Sequence, residues 1–591
     1  MKQILQKPIS PSHNRFQKEK TVMSFFCLLM WIIAGSVLRF YNLEAKTVWS
    51  DEWSTIVFSL GHSFHNIPLN TVIDSPTLFE LIRIENSRNV GDVIANLMAE
   101  STHPPLYFVL SHWWLQLFAS DGALVSIWQA RSLSAILGVL SIPAMFGLGW
   151  LVFESVLAAQ IAAALMAVSP YGMYLAQEAR HYTLAILWVI ASLACWIVSL
   201  RHLAQHKVPK RSLMLLWILV NSLGMATHYF FGLNLLAQAL VLLTLWLQNL
   251  KNDSNQIKLL FDPAWRRIGV AMLGTLAGCS IWIYRWQYFP HDRLTNWTHQ
   301  DFDLGVELLS PIVRLLAWLI TMFVLPPIEG VSSWISVISL IVLLPSLFWL
   351  VKAGWQYLPK IASNPIEIAI TRFLVISLAL NLILAYFVGR DITLAARFQF
   401  FYFPLVLILG AGILQRQWQL SRKQLQRQIS VVAILVLGCI GGLVIVNNYG
   451  FQKSDRPDLF VPEISQMNQE IPLVIATVYR THGQAVETIA LAWEWHKQYR
   501  HNRDSNKSIY SPQFLLLENN SAVTDNLHRF VERSPRPFDL WLVNFLASTI
   551  SNGRNLDSFG CLVNPDAKLK VSGYRAEYHI CQVKPLNVGK N

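Results

Sequence analysis

Charge is what this 591-residue chain is short of: 14% of its residues are Asp, Glu, Lys or Arg, against 53% hydrophobic. A soluble domain carries roughly 25% charged residues, so an ordinary soluble globular protein is excluded. Cysteine is scarce as well. Six in the whole chain cannot form a disulfide framework, and no CxxC or Cys/His pair has zinc-site spacing. No A-x-A cleavage pattern closely follows the first apolar stretch, Val22–Leu38, which therefore reads as a retained span behind a basic tail. Neither half visibly repeats the other. What is present in quantity is aromatic, with 23 Trp, 31 Phe and 17 Tyr, and this excludes a disordered chain. Long apolar runs recur from Thr21 to about Val446 and read as membrane spans.

The net charge of +12 would suit nucleic acid until it is located. Residues 1–451 carry +10 of it, and residues 452–591 only +2. The excess is clustered: Lys2, Lys7, Arg15, Lys18 and Lys20; Arg201, Lys207, Lys210 and Arg211; Lys251, Lys258, Arg266 and Arg267; Arg416, Arg422, Lys423 and Arg427. Short basic loops between apolar spans mark the cytoplasmic face, so the charge records topology and no nucleic-acid partner is expected.

The clusters also impose parity. Five apolar segments (21–40, 105–119, 132–152, 156–174, 182–200) separate the tail from Arg201, and only an even number can cross. The segment 105–119 is short for about 30 Å of hydrocarbon and carries His112 and two Trp, so it reads as an interfacial helix in a large extracytoplasmic loop, 41–131. Spans at 212–230 and 232–249 follow. Beyond Arg267 lie 268–285, 310–326, 334–351, 367–388 and 398–414; 310–326 contains Arg314 between prolines and is likewise demoted. A last span at 429–447 makes about eleven, with the N-terminus cytoplasmic and the C-terminus outside. The expected fold is an all-α polytopic membrane protein: a basic cytoplasmic tail (1–20), a transmembrane domain (21–450) and a small C-terminal extracytoplasmic α/β domain (451–591). The tail shows short apolar runs at Leu473–Val478, Phe514–Leu517, Leu540–Phe545 and Tyr578–Val583 around a helical stretch, Ala485–Tyr499. Its two cysteines, Cys561 and Cys581, can pair if it lies outside the cytoplasm. The other four lie within spans and read as packing residues.

This topology puts the informative polar residues on the extracytoplasmic face. Trp49-Ser50-Asp51-Glu52-Trp53 lies about ten residues beyond the first span; its bland reading is a loop helix capped by Ser50, with the acids in its first turn and the Trp pair at headgroup level. Thr102-His103-Pro104-Pro105 suits helix initiation. In Gln177-Glu178-Ala179-Arg180-His181-Tyr182, Glu178 and Arg180 are two apart and would not face each other on a helix. Arg390-Asp391, Arg397-Phe398, Arg131 and Thr227-His228-Tyr229 complete the set. Each arginine alone is more often a snorkelling anchor than a phosphate ligand. Carboxylates and arginines converging on one face suit chemistry on a lipid-linked anion.

Together these residues resemble the GT-C superfamily of membrane glycosyltransferases, in its protein O-mannosyltransferase and aminoarabinose-transferase branch. The resemblance rests on Arg39-Phe40-Tyr41-Asn42-Leu43, Trp49 to Glu52, His103 to Tyr107, Arg131 to Ala135, Ser169 to Tyr182 and, more loosely, Arg397 to Pro404. It covers about the first 190 residues closely and leaves the tail unmatched. It implies transfer of a sugar from a polyprenyl-phosphate carrier to a protein, lipid or glycan acceptor, as in cell-envelope glycosylation. It further implies catalytic roles for Asp51, Glu52 and Glu178, although the mannosyltransferases carry a Leu-Asp pair where Glu178 stands. Arg131, Arg180 and Arg397 are the expected donor-phosphate ligands, and His103, Tyr182 and His228 the expected substrate contacts. No cofactor is required. A divalent cation, Mg or Mn, held by Asp51 and Glu178 is compatible with hard oxygen donors. The competing readings are a secondary transporter, a lipid-linked glycan flippase or ligase, and a scaffold presenting the tail; charges at span edges rather than mid-membrane favour surface chemistry.

Overall fold

The computed structural model describes residues 11–118, 120–252, 262–287, 296–300, 305–361, 364–420, 424–467, 471–501, 511–545 and 556–582. Lys2, Lys7, Lys258, Arg422 and Lys423 of the basic clusters lie outside them. The chain packs as two compact units: residues 1–43 with 131–451, and residues 44–130 with 452–591. The first-loop residues 44–130 thus group with the tail rather than with the spans. Helices through residue 252 are α1 (Pro11–Phe40), α2 (Ser50–Ser59), α3 (Ser75–Phe79), α4 (Val90–Glu100), α5 (Leu106–Gln116), α6 (Ile127–Phe153), α7 (Val156–Val168), α8 (Pro170–Ala176), α9 (Tyr182–Ala204), α10 (Arg211–Met225) and α11 (Phe231–Asn252).

Among the described residues six helices are long and apolar enough to cross a membrane: Val22–Phe40 of α1, α6, α9, Phe231–Leu250 of α11, Pro365–Phe387 and Leu425–Val446. They make the chain an integral membrane protein. Counting α7 and α8 as one bent span raises the number to seven, against the eleven expected. Helices also occupy the other four expected positions, at Arg211–Met225, Pro263–Gln287, Ser333–Ile361 and Phe403–Gln419. The two demoted segments are short helices, α5 of 11 residues and Ser310–Thr321 of 12; at 1.5 Å per residue neither reaches across about 30 Å.

Small residues set the packing of the spanning unit. From Ala158 to Val168, α7 is buried at every position but Gln160, because alanines let neighbours approach on all sides. A Cβ on Gly149 of α6 would stand 3.0 Å from that of Ala162. The expected single span 156–174 is broken: Pro170 lacks the N–H that would continue α7, and α8 leaves at 54°. Ser169 holds the break, its Oγ accepting from Gly172 N (3.2 Å) and donating to Met322 O (2.7 Å).

The second unit is built on a six-stranded sheet in the order β1-β3-β2-β4-β6-β5. The strands are β1 (Val72–Ile73), β2 (Leu473–Tyr479), β3 (Gln513–Glu518), β4 (Phe538–Val543), β5 (Cys561–Val571) and β6 (Tyr574–Cys581). Strands β3, β2 and β4 are parallel. They are near-continuous apolar runs, as strands covered on both faces must be. The helix His482–His501 carries the chain from β2 to β3, and Val523–Arg533 carries it from β3 to β4 on the opposite edge of β2. Val523, Leu527 and Val531 recur every fourth residue and bury one stripe of the second helix against the sheet. Cys561 and Cys581, opposite one another on β5 and β6, form a disulfide. From the first loop, β1 adds antiparallel to β3, and Glu100 ties the loop internally by accepting from Ser63 Oγ (2.5 Å) and Phe64 N (3.0 Å).

Candidate functional site

The expected site residues fall in both units. In the sheet-bearing unit, α2 opens with Ser50, Asp51 and Glu52; its cap is Trp49, without a side-chain bond, and not Ser50. The two acids occupy the first turn, where the helix dipole favours negative charge. Glu52 is fully buried and Asp51 half-buried. Trp49 and Trp53 are buried rather than exposed at a surface: the Lys453 ammonium lies 4.9 Å above the Trp49 ring, and Trp53 meets Trp493 edge-on at 5.4 Å. Thr55 Oγ1 donates to Asp51 O (2.8 Å), bracing the first turn. His103, half-buried, sits with Nδ1 3.0 Å from Ser101 Oγ and its ring against Phe108.

This unit adds a residue that sequence reasoning missed. His482 is the first residue of the helix after β2. Its ring stacks on Phe64 (5.2 Å, 21°) and meets Phe58 of α2 edge-on (5.8 Å). Burial pushes its pKa down to about 4, against the pull of the Asp51 charge. The available signal was its position: the apolar run Leu473–Val478 and the helical stretch from Ala485 bracket a junction at the carboxyl end of a parallel strand, where α/β sheets place functional loops. Nearby on the same helix, Glu487 accepts from Asn544 Nδ2 (2.9 Å), and burial raises its carboxyl to about 7.

In the spanning unit, the break after α7 delivers Gln177 to His181 as a tight bend leading into α9. Glu178, Arg180 and His181 are each at most 2% exposed, so these groups are buried within the protein. Arg180 N donates to Glu178 O (2.7 Å), Ser134 Oγ of α6 donates to Arg180 O (2.9 Å), and Gln177 Nε2 donates to Tyr41 O (2.9 Å). The Arg180 guanidinium lies 5.8 Å from the Tyr182 ring centre. The rings of His181 and His228 approach to 4.6 Å, and His228 meets Tyr182 at 5.6 Å and Phe400 at 5.0 Å. His228 Nδ1 accepts from Phe230 N (3.0 Å), which leaves the proton of the neutral ring on Nε2. Arg397 lies over Phe398 (5.2 Å) and Trp297 (5.5 Å), and Phe398 in turn meets His228 at 6.4 Å. Tyr171 fixes the neighbouring 3-10 helix Ala396–Phe401 through its hydroxyl to Ala396 O (2.9 Å).

The structure therefore gathers Arg180, His181, Tyr182, His228 and Arg397 around shared aromatic rings. Arg131, also buried, donates to Leu43 O (2.9 Å) and stands one helical turn before Ser134. Asp391 is drawn off elsewhere: fully buried, it pairs with Arg314 and accepts from Thr393 N and Oγ1. That pair explains the arginine inside 310–326. Among the described residues no group of three or more His, Cys, Asp or Glu is arranged to hold a metal ion, so a divalent cation at Asp51 or Glu178 finds no such donor set.

No protein-family model matches the sequence, and no curated protein matches it. The fold is matched by solved structures. ArnT from Cupriavidus metallidurans bound to undecaprenyl phosphate superposes with a TM-score of 0.51 at 11% identity, covering 94% of this chain and 98% of that one. The same enzyme in its apo state gives 0.49 at 12% identity, over 93% and 97%. The archaeal oligosaccharyltransferase AglB from Archaeoglobus fulgidus, in complex with an inhibitory peptide and a dolichol-phosphate, gives 0.43 at 12%, over 80% and 64%. The chain has the fold of ArnT.

Proposed function

We propose that this chain is a membrane glycosyltransferase that moves a sugar from a polyprenyl-phosphate-linked donor to a hydroxyl acceptor on the extracytoplasmic side. The observation that carries the reading is the ArnT fold extending over nearly the whole chain, sheet-bearing unit included. The acidic first turn of α2 and the buried Arg180–His181–Tyr182–His228 group supply residues of the required chemistry. The disulfide Cys561–Cys581 supports an oxidising compartment for the sheet-bearing unit.

In this reading the acceptor hydroxyl attacks the anomeric carbon as its proton passes to the Asp51 carboxylate. The new C–O bond forms as the bond from the anomeric carbon to the phosphate oxygen breaks, and polyprenyl phosphate leaves with that electron pair. One displacement inverts the anomeric configuration. A positioned carboxylate base contributes about 10²–10⁴-fold. Arg131, Arg180 and Arg397 neutralise the leaving phosphate, since a guanidinium matches two phosphate oxygens. Glu52 and Glu178 set charge and acceptor orientation, and His103, Tyr182 and His228 contact substrate. Asp51→Asn, which keeps the shape and removes the base, is expected to abolish transfer from labelled polyprenyl-phosphate sugars to membrane-extract acceptors while insertion persists. Transfer near the wild-type rate by that variant would overturn the assignment.

A further inference from the structure

Arg39, in the last turn of α1, is fully buried in the spanning unit. A guanidinium inside a membrane bundle is costly and is kept where it does something. Its partners here are backbone carbonyls. Nη1 donates to Gly35 O of its own helix (3.1 Å) and to Ala167 O (3.0 Å), and Nη2 donates to Met166 O (2.8 Å).

The last two carbonyls belong to the final turn of α7, and their identity is informative. In a continuous helix Met166 O would accept from the N–H of residue 170, but residue 170 is proline and has none. Ala167 O is the next carbonyl towards the 54° break. The guanidinium therefore satisfies carbonyls that the break orphans, and it places positive charge at the carboxyl-terminal ends of α1 and α7 together. Space for it is built from glycine. A Cβ on Gly138 of α6 would lie 3.1 Å from Arg39 Nε, and one on Gly35 of α1 3.0 Å from Nη1. From the other side, Gln177 Nε2 donates to Arg39 O (3.4 Å) and Tyr41 O (2.9 Å), joining the end of α1 to the bend that follows α8.

We propose that Arg39 is a positioning residue: its guanidinium holds open the α7–α8 break and so sets where the bend from Gln177 to Tyr182 stands. As a statement about catalysis this rests on the glycosyltransferase reading; as a statement about the bend it does not.

The test uses the full chain in detergent with Arg39→Leu, Arg39→Lys, Pro170→Ala and the double variant R39L/P170A. Ala179, buried in the bend, is replaced by cysteine as a reporter, and native Cys195, buried within α9, serves as the internal control. Site-resolved alkylation by a maleimide is read by mass spectrometry. Arg39→Leu is expected to speed modification at position 179 at least tenfold while Cys195 is unchanged. It is also expected to lower kcat/KM per folded molecule about 10²-fold, the cost of roughly 1 Å of misplacement. Arg39→Lys, a single point of charge that cannot span two carbonyls, should show the same order at smaller amplitude, and it serves where the leucine variant fails to insert. Pro170→Ala restores the missing N–H, so R39L/P170A should melt above Arg39→Leu without regaining activity. Equal acceleration at 179 and Cys195, no acceleration at 179, or wild-type turnover by Arg39→Leu would overturn the proposal. Should the wild type transfer no sugar, the glycosyltransferase reading fails, and the alkylation ratio alone still decides the role of Arg39.

Discussion

Replacing Glu487 with glutamine should stabilise the protein above neutral pH and change little in acid. Burial raises the Glu487 carboxyl to about 7, while its Asn544 bond pulls the other way. An unfolded glutamate titrates near 4.3. The native state therefore binds more protons than the unfolded state between about 4.5 and 7, and linkage makes stability fall as pH rises through that window. The rise from roughly 4.3 to about 7, which already includes the opposing Asn544 bond, corresponds to about 4 kcal/mol. An uncharged glutamine escapes that cost, so Glu487→Gln is expected to gain about 4 kcal/mol at pH 8. For a cooperative unit of roughly 200 residues this is a rise of about 8–16 °C in melting temperature. The assay is thermal unfolding of the full chain in detergent from pH 4.5 to 8, wild type against variant, so that the titration of all other groups cancels. A difference in melting temperature that grows from near zero to its full value across pH 4.5–7 is expected. A difference that is constant with pH, or of opposite sign at pH 8, would refute the argument from burial.

His482 should give the mirror image. Its folded pKa is depressed to about 4, so stability present above pH 6.5 is lost as pH falls towards 4, and His482→Gln should flatten that acid limb in the same melting series. Arg314→Met leaves Asp391 buried and unpaired and is expected to cost about 3–5 kcal/mol, visible as a lower melting temperature that Asp391→Asn in the same chain partly restores. Cys561→Ser with Cys581→Ser, or reductant on the wild type, should lower stability by about 3 kcal/mol for a loop of 20 residues.

Much of the spanning unit was legible because its signal is local. Apolar runs of sufficient length marked the helices, and the charge inside 310–326 and the shortness of 105–119 marked two helices that cannot cross. The strands at 473–478 and 514–517 were readable as apolar runs, and the cysteine pair as the only two in the tail. What local signals could not reveal are pairings distant in sequence. Val72–Ile73 is a two-residue strand whose only definition is its partner β3, more than 400 positions away. The break at Ser169-Pro170 hides inside a run apolar enough to be one span, because hydropathy does not sense a missing N–H. Arg39 was visible as a motif residue, yet its role depends on carbonyls of another helix. Asp391 stood among the outer polar residues, and its partner, Arg314, lies 77 positions away in the demoted segment 310–326.

The central claim is that a carboxylate at the start of α2 drives sugar transfer from a polyprenyl-phosphate carrier. The most direct measurement is single-turnover transfer of a labelled sugar from a defined polyprenyl-phosphate donor by purified wild type and Asp51→Asn. The account predicts label on an acceptor fraction with the wild type, and a rate at least 10²-fold lower with the variant at unchanged donor binding. Equal rates in the two proteins would contradict it.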